Sequence, residues 1–198
     1  MIPIGQVLVN KLRMSPVKFE DASVGGASFA KTGASVPNFT KLMANGGSTG
    51  IFLTSFGPGP QQHDAWGSIQ LPHSRASFSD LDVHFHYFPT TNNVGDAIME
   101  VEYAVANIND AFPVAATTLV TPITLSVAAP DVNVHKILTL FTITGSNIGM
   151  SAVIVFRLSR LGNAGGDTYT GDIAGLSFDA HVRIDSIGSD EPFVKYAP

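Results

Sequence analysis

Cysteine is absent from the 198 residues. That excludes disulfide frameworks, thiolate metal sites and cysteine nucleophiles. Charge is scarce: 14% of residues are Asp, Glu, Lys or Arg, against about a quarter in an ordinary soluble domain. The 11 basic and 16 acidic residues leave a net charge of -5, which gives no electrostatic case for nucleic acid or an anionic membrane. Long apolar runs are missing too. The uncharged stretch Ala111 to Pro130 is broken by Pro113 and Pro122 and by five Thr or Ser residues, whereas a spanning helix needs about twenty predominantly apolar residues. Gln6, Asn10, Lys11 and Arg13 interrupt any apolar core near the N-terminus, so no signal peptide is expected. Tryptophan occurs once, at Trp66, and reads as a packing residue. No Gly-rich loop has the strand-to-helix context and Lys of a phosphate cradle.

What is present is glycine, proline and phenylalanine: 19, 12 and 13 residues. Composition divides the chain near residue 60. Residues 22–50 are rich in Gly, Ala, Ser, Thr and Asn, and Lys31 and Lys41 are the only charges between Asp21 and Asp64. Such a stretch offers little to a private core and reads as a mobile arm or as a strap that orders on a neighbour. A short strand, Ile51 to Phe56, precedes a hinge at Gly57-Pro58-Gly59-Pro60. The expected organisation is an extended N-terminal arm with short strands over 1–60 and a β-sandwich domain over 61–198.

From Trp66 onward the pattern is strand after strand. Leu81, Val83, Phe85 and Tyr87 alternate with Asp82, His84 and His86. Met99, Val101, Tyr103 and Val105 alternate with Glu100, Glu102 and Ala104. Ala152, Ile154, Phe156 and Leu158 form a third series, and Phe178, Ala180, Val182 and Ile184 a fourth. Period two marks antiparallel strands with one buried face. Weaker strands are expected at 114–120, 122–128 and 134–144, and short helices are candidates at 104–111 and 145–152. Seven to nine strands with irregular turns predict an all-β antiparallel sandwich of jelly-roll type.

The sharpest local motif is His84-Phe85-His86. In a strand, residues i and i+2 share a face about 7 Å apart, a spacing that lets two imidazoles share a metal. Zinc suits histidine with carboxylate. The cupin-type pattern adds a Glu a few residues later, but Glu100 lies fourteen residues past His86, and the third histidine could be His135 or His181. The plain reading is hydrogen bonding on a polar sheet face or at a subunit contact, with no metal and no cofactor. A wider polar set comprises Asp82, His84, His86, Glu100, Glu102, Arg157, Asp179, His181, Arg183 and Asp185. On neighbouring strands it would form one stripe, as a solvated face or a cross-subunit network. His63-Asp64 and His73-Ser74 lack a Gly-x-Ser-x-Gly elbow, so no catalytic residues are assigned.

Several segments, taken in order, resemble small structural proteins of tailed bacteriophages. They are Trp66 with Leu71-Pro72-His73, Asp82-Val83-His84-Phe85-His86-Tyr87, Val101-Glu102-Tyr103, Phe156-Arg157-Leu158-Ser159-Arg160, Asp167-Thr168-Tyr169, and Phe178-Asp179-Ala180-His181-Val182 with Ile184-Asp185-Ser186-Ile187-Gly188-Ser189. The resemblance covers about residues 66–189 and departs at Tyr87, where Trp is expected. It implies a virion protein without enzymatic activity: a capsid decoration (cement) protein, or else a tail, collar or head-fibre component. It further implies self-association, as a homotrimer, and contact with the major capsid protein or another virion protein through residues 1–60, with no nucleic acid and no membrane as partner. A glycan-binding role would instead place exposed aromatic residues near the loops 88–95 or 161–170, with Phe88 and Tyr169 as the candidates.

Overall fold

The computed structural model describes residues 17–31, 36–44, 50–112 and 117–185. Residues 1–16, 32–35 and 45–49 of the expected arm, 114–116 of the expected strand 114–120, and the Ser186 to Ser189 part of the resemblance lie outside them. Eleven strands are present among the described residues: β1 (Lys18–Gly25), β2 (Asn38–Ala44), β3 (Gly50–Phe56), β4 (Gln62–Gln70), β5 (Leu81–Pro89), β6 (Gly95–Ala106), β7 (Thr118–Leu119), β8 (Ile123–Val127), β9 (Lys136–Ile143), β10 (Val153–Leu161) and β11 (Ile173–Ile184). Of the two expected helical windows, 104–111 begins as the end of β6, and 145–152 holds a single 3-10 turn at Gly145–Asn147.

The strands form two antiparallel sheets. The first runs β2-β3-β11-β5-β9, with β1 also on β11; the second runs β4-β10-β6-β7, with β8 also on β6. From β3 to β6 each strand lies in the opposite sheet from its predecessor, and the same alternation returns from β8 to β11. This is the jelly-roll sandwich, with the β3/β1-β11-β5-β9 sheet facing the β4-β10-β6-β8 sheet.

The period-two residues fill the space between the sheets. Leu81, Val83, Phe85 and Tyr87 of β5 are buried, as are Met99 and Val101 of β6, Ile154, Phe156 and Leu158 of β10, and Phe178, Ala180 and Val182 of β11. Phe156 and Phe178, from opposite sheets, stack with ring centroids 3.7 Å apart.

Residues 17–31, expected in the arm, are built into this sandwich. β1 pairs with β11 from Lys18↔Ile184 to Gly25↔Ser177. The chain then turns through Gly26–Ser28. Phe29 enters the core, edge-on to Phe156 at 6.0 Å. Ala30 exchanges two backbone hydrogen bonds with Trp66 of β4, at 2.8 and 3.0 Å. The segment therefore straps one edge of the first sheet to one edge of the second. An unpaired sheet edge carries a row of unsatisfied amides and carbonyls, and the strap covers both edges with hydrogen bonds and an apolar plug.

The strap also explains the course of β3. One side of β11 can be occupied only once, and β1 takes it from Ser177 to Ile184. β3 keeps only Phe56↔Ile173 and Ser55↔Ala174. Gly50 to Thr54 pair with β2 alone, so the β2–β3 hairpin peels away from the sheet.

Candidate functional site

Nine of the ten polar residues that would form one stripe on neighbouring strands fall into two groups, because their strands lie in different sheets, and the tenth, Asp185, lies just past the end of β11. Asp82, His84 and His86 of β5 sit beside Asp179, His181 and Arg183 of β11 on the outer face of the first sheet. Glu100 and Glu102 of β6 flank Arg157 of β10 on the outer face of the second sheet. The single stripe is thus corrected to two clusters on opposite sides of the sandwich. The pairing of β6 with β10 rather than β5 decides this, and no residue pattern within either strand encodes it.

The second-sheet cluster is centred on one guanidinium. Arg157 Nη1 donates to Asp64 Oδ1 at 3.0 Å and to Ser159 Oγ at 2.7 Å, Nε to Glu102 Oε2 at 3.0 Å, and Nη2 to Glu100 Oε1 at 3.1 Å. Thr117 donates to the other oxygen of Glu102. Burial pushes the Asp64 carboxyl up, but its bonds with Ser159, Gln62 and Arg157 outweigh that and hold it below the usual range. Thr117, and then Arg157, hold Glu102 low as well. A depression of about 200 Å³ lies beside the cluster, floored by Trp66, Tyr103 and Arg157.

Arg157→Met leaves three carboxylates facing one another. The expected loss is about 1–3 kcal/mol at neutral pH, between that of an exposed ion pair and a buried one. Both carboxyl groups with lowered values contribute stability above their unfolded pKa and lose it as pH falls through the folded value. The gap between variant and parent in thermal denaturation therefore narrows below the ordinary carboxylate range. An equal gap in acid would assign the loss to packing instead.

The first-sheet cluster gathers four of the six histidines. Asp179 stands opposite His84 in the β5–β11 ladder, with His181 two residues further along β11. Its carboxylate is only 2% exposed. His86 Nε2 lies 3.0 Å from Asp179 Oδ1, His181 Nε2 3.5 Å from Oδ2, and His84 Nδ1 4.0 Å from Oδ2. None of these approaches is aligned as a hydrogen bond, and both oxygens of Asp179 and Nδ1 of His84 are enclosed without one. The His84 and His181 rings pack with centroids 4.1 Å apart. His86 Nδ1 and His135 Nε2 share a hydrogen bond of 2.7 Å, and His181 Nε2 lies 3.1 Å from Asp21 Oδ1 on β1. Burial pushes the Asp179 carboxyl up despite His86, His84 and His181 around it. Burial, followed by the neighbouring His181, pushes the His84 imidazole down. Arg183 is exposed on the same strand face, two residues beyond His181.

The cupin-type arrangement does not form. His84 and His86 point away from the core that Val83, Phe85 and Tyr87 fill, and Glu100 belongs to the other sheet. Both histidines left open as third partners do reach the cluster, His181 beside His84 and His135 beside His86. Asp179 is the member that sequence reasoning under-weighted. Its signal was a carboxylate alternating with core residues in Phe178-Asp179-Ala180, but burial on an outer face is not legible from alternation.

The remaining candidates have internal roles. His63 accepts the Gly57 amide at 2.9 Å, and His73 meets Ser151 at 2.6 Å rather than its neighbour Ser74, which donates to Glu20. Phe88 and Tyr169 are buried, and the Tyr169 hydroxyl donates to the Thr91 carbonyl at 3.2 Å. The aromatic residues expected at the loop surface for glycan binding are therefore turned inward.

No family model matches the chain. No curated protein matches it either. Among solved structures, TmCBM61 in complex with β-1,4-galactotriose is similar at 11% identity and a TM-score of 0.32, over 87% of this chain and 90% of that one. An isomalto-dextranase of Arthrobacter globiformis T6 complexed with panose gives 16% identity and a TM-score of 0.34, over 84% of this chain and 23% of that one. A structure of infectious bursal disease virus, Gx strain, gives 9% and 0.31, over 89% and 53%. The chain spans about a quarter and about half of the latter two.

Proposed function

We propose that this chain is a non-enzymatic structural protein of a tailed-phage virion, of the capsid decoration type, which docks through the part of its N-terminal sixty residues that leaves the sandwich, the β2–β3 hairpin, and associates with itself as a trimer. The observation that carries the reading is the β2–β3 hairpin. It leaves the sheet where β1 takes over the edge of β11, and it presents apolar side chains without covering them. Phe39 is 52% exposed and Ile51 57%. Phe39 stacks on Phe52 at 5.4 Å, with the Lys31 ammonium 4.5 Å from its ring. An exposed hairpin whose outer strand, β2, has no second strand partner among the described residues, and which carries aromatic anchors, suits strand addition or groove docking on a larger partner. The scarcity of charge between Asp21 and Asp64 suits the same use, since charged residues are depleted at interface cores. The sequence resemblance to phage structural proteins supplies the virion setting, and a jelly-roll scaffold is compatible with cyclic association.

The test is co-sedimentation of the purified chain with phage capsids that lack it. A Phe39→Asp, Ile51→Asp double variant is expected to stay in the supernatant while keeping the parent's melting temperature. Equal binding of parent and variant would remove the hairpin from the docking surface. Failure of the parent to bind capsids would remove the decoration role. A monomer in sedimentation velocity at micromolar concentration, and no symmetric cluster on the capsid, would end the trimer assignment.

A further inference from the structure

We propose that the outer face of the first sheet holds a divalent transition metal, zinc by its ligand chemistry, bound by His84, Asp179 and His181. The three side chains can each present one ligand atom such that all lie within 4.8 Å of one another. They stand on two adjacent strands that pair in unbroken register from His86↔Ser177 to Leu81↔Val182, so the spacing is set by the ladder rather than by a loop. Two imidazole nitrogens and a carboxylate oxygen suit zinc, whereas magnesium and calcium take oxygen donors.

The second observation is the state of the donors. An enclosed carboxylate without hydrogen bonds is costly, and a buried charge is ordinarily paired or bound to a metal. Here both Asp179 oxygens and His84 Nδ1 are enclosed without a hydrogen-bond partner, and Asp179 Oδ2 is the oxygen near both His84 Nδ1, at 4.0 Å, and His181 Nε2, at 3.5 Å. A cation among these three atoms satisfies Oδ2 and His84 Nδ1 together. The surrounding groups fit supporting positions. His86 Nε2 approaches the other oxygen of Asp179 at 3.0 Å while its Nδ1 meets His135, which is the relay that fixes an outer-shell partner in place. Asp21 of β1 lies 3.1 Å from His181 Nε2, and at 61% side-chain exposure it can supply a fourth oxygen donor. Through Asp21 the metal would also pin the strap to the sheet. The site is independent of the virion reading, because it is measured on the isolated chain.

The test uses the full chain, purified without a histidine tag and stripped with a chelator. Titration with zinc against a chromogenic chelator is expected to give one ion per chain. His84→Ala and His181→Ala are each expected to weaken binding by at least about tenfold, since even outer-shell changes cost about 10–100-fold. Cobalt in place of zinc should give the visible absorption of a low-coordinate site in the parent and lose it in His84→Ala. Asp179→Asn keeps the shape and removes the buried charge. It is expected to melt above the parent without metal and to gain nothing from zinc, whereas the parent gains stability as zinc rises above its dissociation constant. This variant decides the question even if the alanine variants fold poorly. Zinc bound by Asp179→Asn as tightly as by the parent, or no binding beyond that of a His84→Ala, His181→Ala double variant, would overturn the site.

Discussion

Replacing Arg160 by methionine is expected to lower stability by about 3–5 kcal/mol, the largest effect of any side-chain truncation considered. Arg160 continues the inward series Ile154, Phe156, Leu158 of β10 and has no exposed surface. Its guanidinium is fully employed. Nε and Nη2 form a fork to Asp167 at 2.9 and 2.7 Å, Nη1 donates to the carbonyls of Phe56 at 3.1 Å and Gly171 at 2.7 Å, and Nη2 also reaches the carbonyl of Tyr169. Asp167 Oδ2 in turn accepts the Ile98 amide at 3.0 Å. One side chain thus ties together β3, β6, β10 and the loop that leads into β11. Methionine matches the volume but leaves the enclosed Asp167 carboxylate with no cation beside it, only the Ile98 amide, and takes the guanidinium from three carbonyls, and an uncompensated buried charge costs more than the lost pair itself is worth. Lysine does not rescue it, because a point charge cannot supply the planar fork. Urea denaturation should show a lower midpoint with an unchanged slope, and heating should show a fall on the order of 10 °C. In a double-mutant cycle, Asp167→Asn should recover part of the loss. A cost under about 1 kcal/mol would mean that water replaces the guanidinium at this end of the sandwich.

Gly26→Ala is expected to undo the strap. A Cβ on Gly26 would lie 2.0 Å from the carbonyl oxygen of Gly175 and 2.6 Å from its carbon, both backbone atoms that cannot rotate away. Gly175 sits at the bulge where β11 changes register against β5, so the two glycines meet at the point where β3 yields the edge to β1. Relief requires the turn to lift, which strains the last pairs of β1 and withdraws Phe29 from Phe156. Overpacking costs about 1–3 kcal/mol, and loss of a buried Phe contact costs about 3–5. The combined loss is expected to exceed about 3 kcal/mol. Hydrogen exchange should rise along Lys18–Gly25 before it rises in β5 or β10, and protease should reach the 17–31 segment in the folded protein. Parent-like protection in Gly26→Ala would show that the strap tolerates a wider turn. Glycine's role here is close approach, not freedom of φ, so Ser at this position should behave as Ala does.

Alternation determined much of the fold by itself. A strand places i and i+2 on one face, so Leu81, Val83 and Phe85, or Phe178, Ala180 and Val182, announce their buried side without knowledge of any partner. The His84-Phe85-His86 motif likewise points to a histidine face, which the first sheet carries on its outer side. Tertiary structure decided the rest. Whether Glu100 joins His86 or Arg157 depends on which sheet β6 enters, and that follows from long-range pairing rather than from local pattern. Burial of Arg160 was hidden for the same reason: its alternation phase points inward, but only the meeting of Asp167 with three carbonyls makes an inward arginine tolerable. The segment 17–31 reads as an arm because its low charge and small residues form no core of their own. It becomes a strap because the sandwich offers two open edges and a slot for Phe29, and hydrogen bonds across that gap exist only once both sheets are in place.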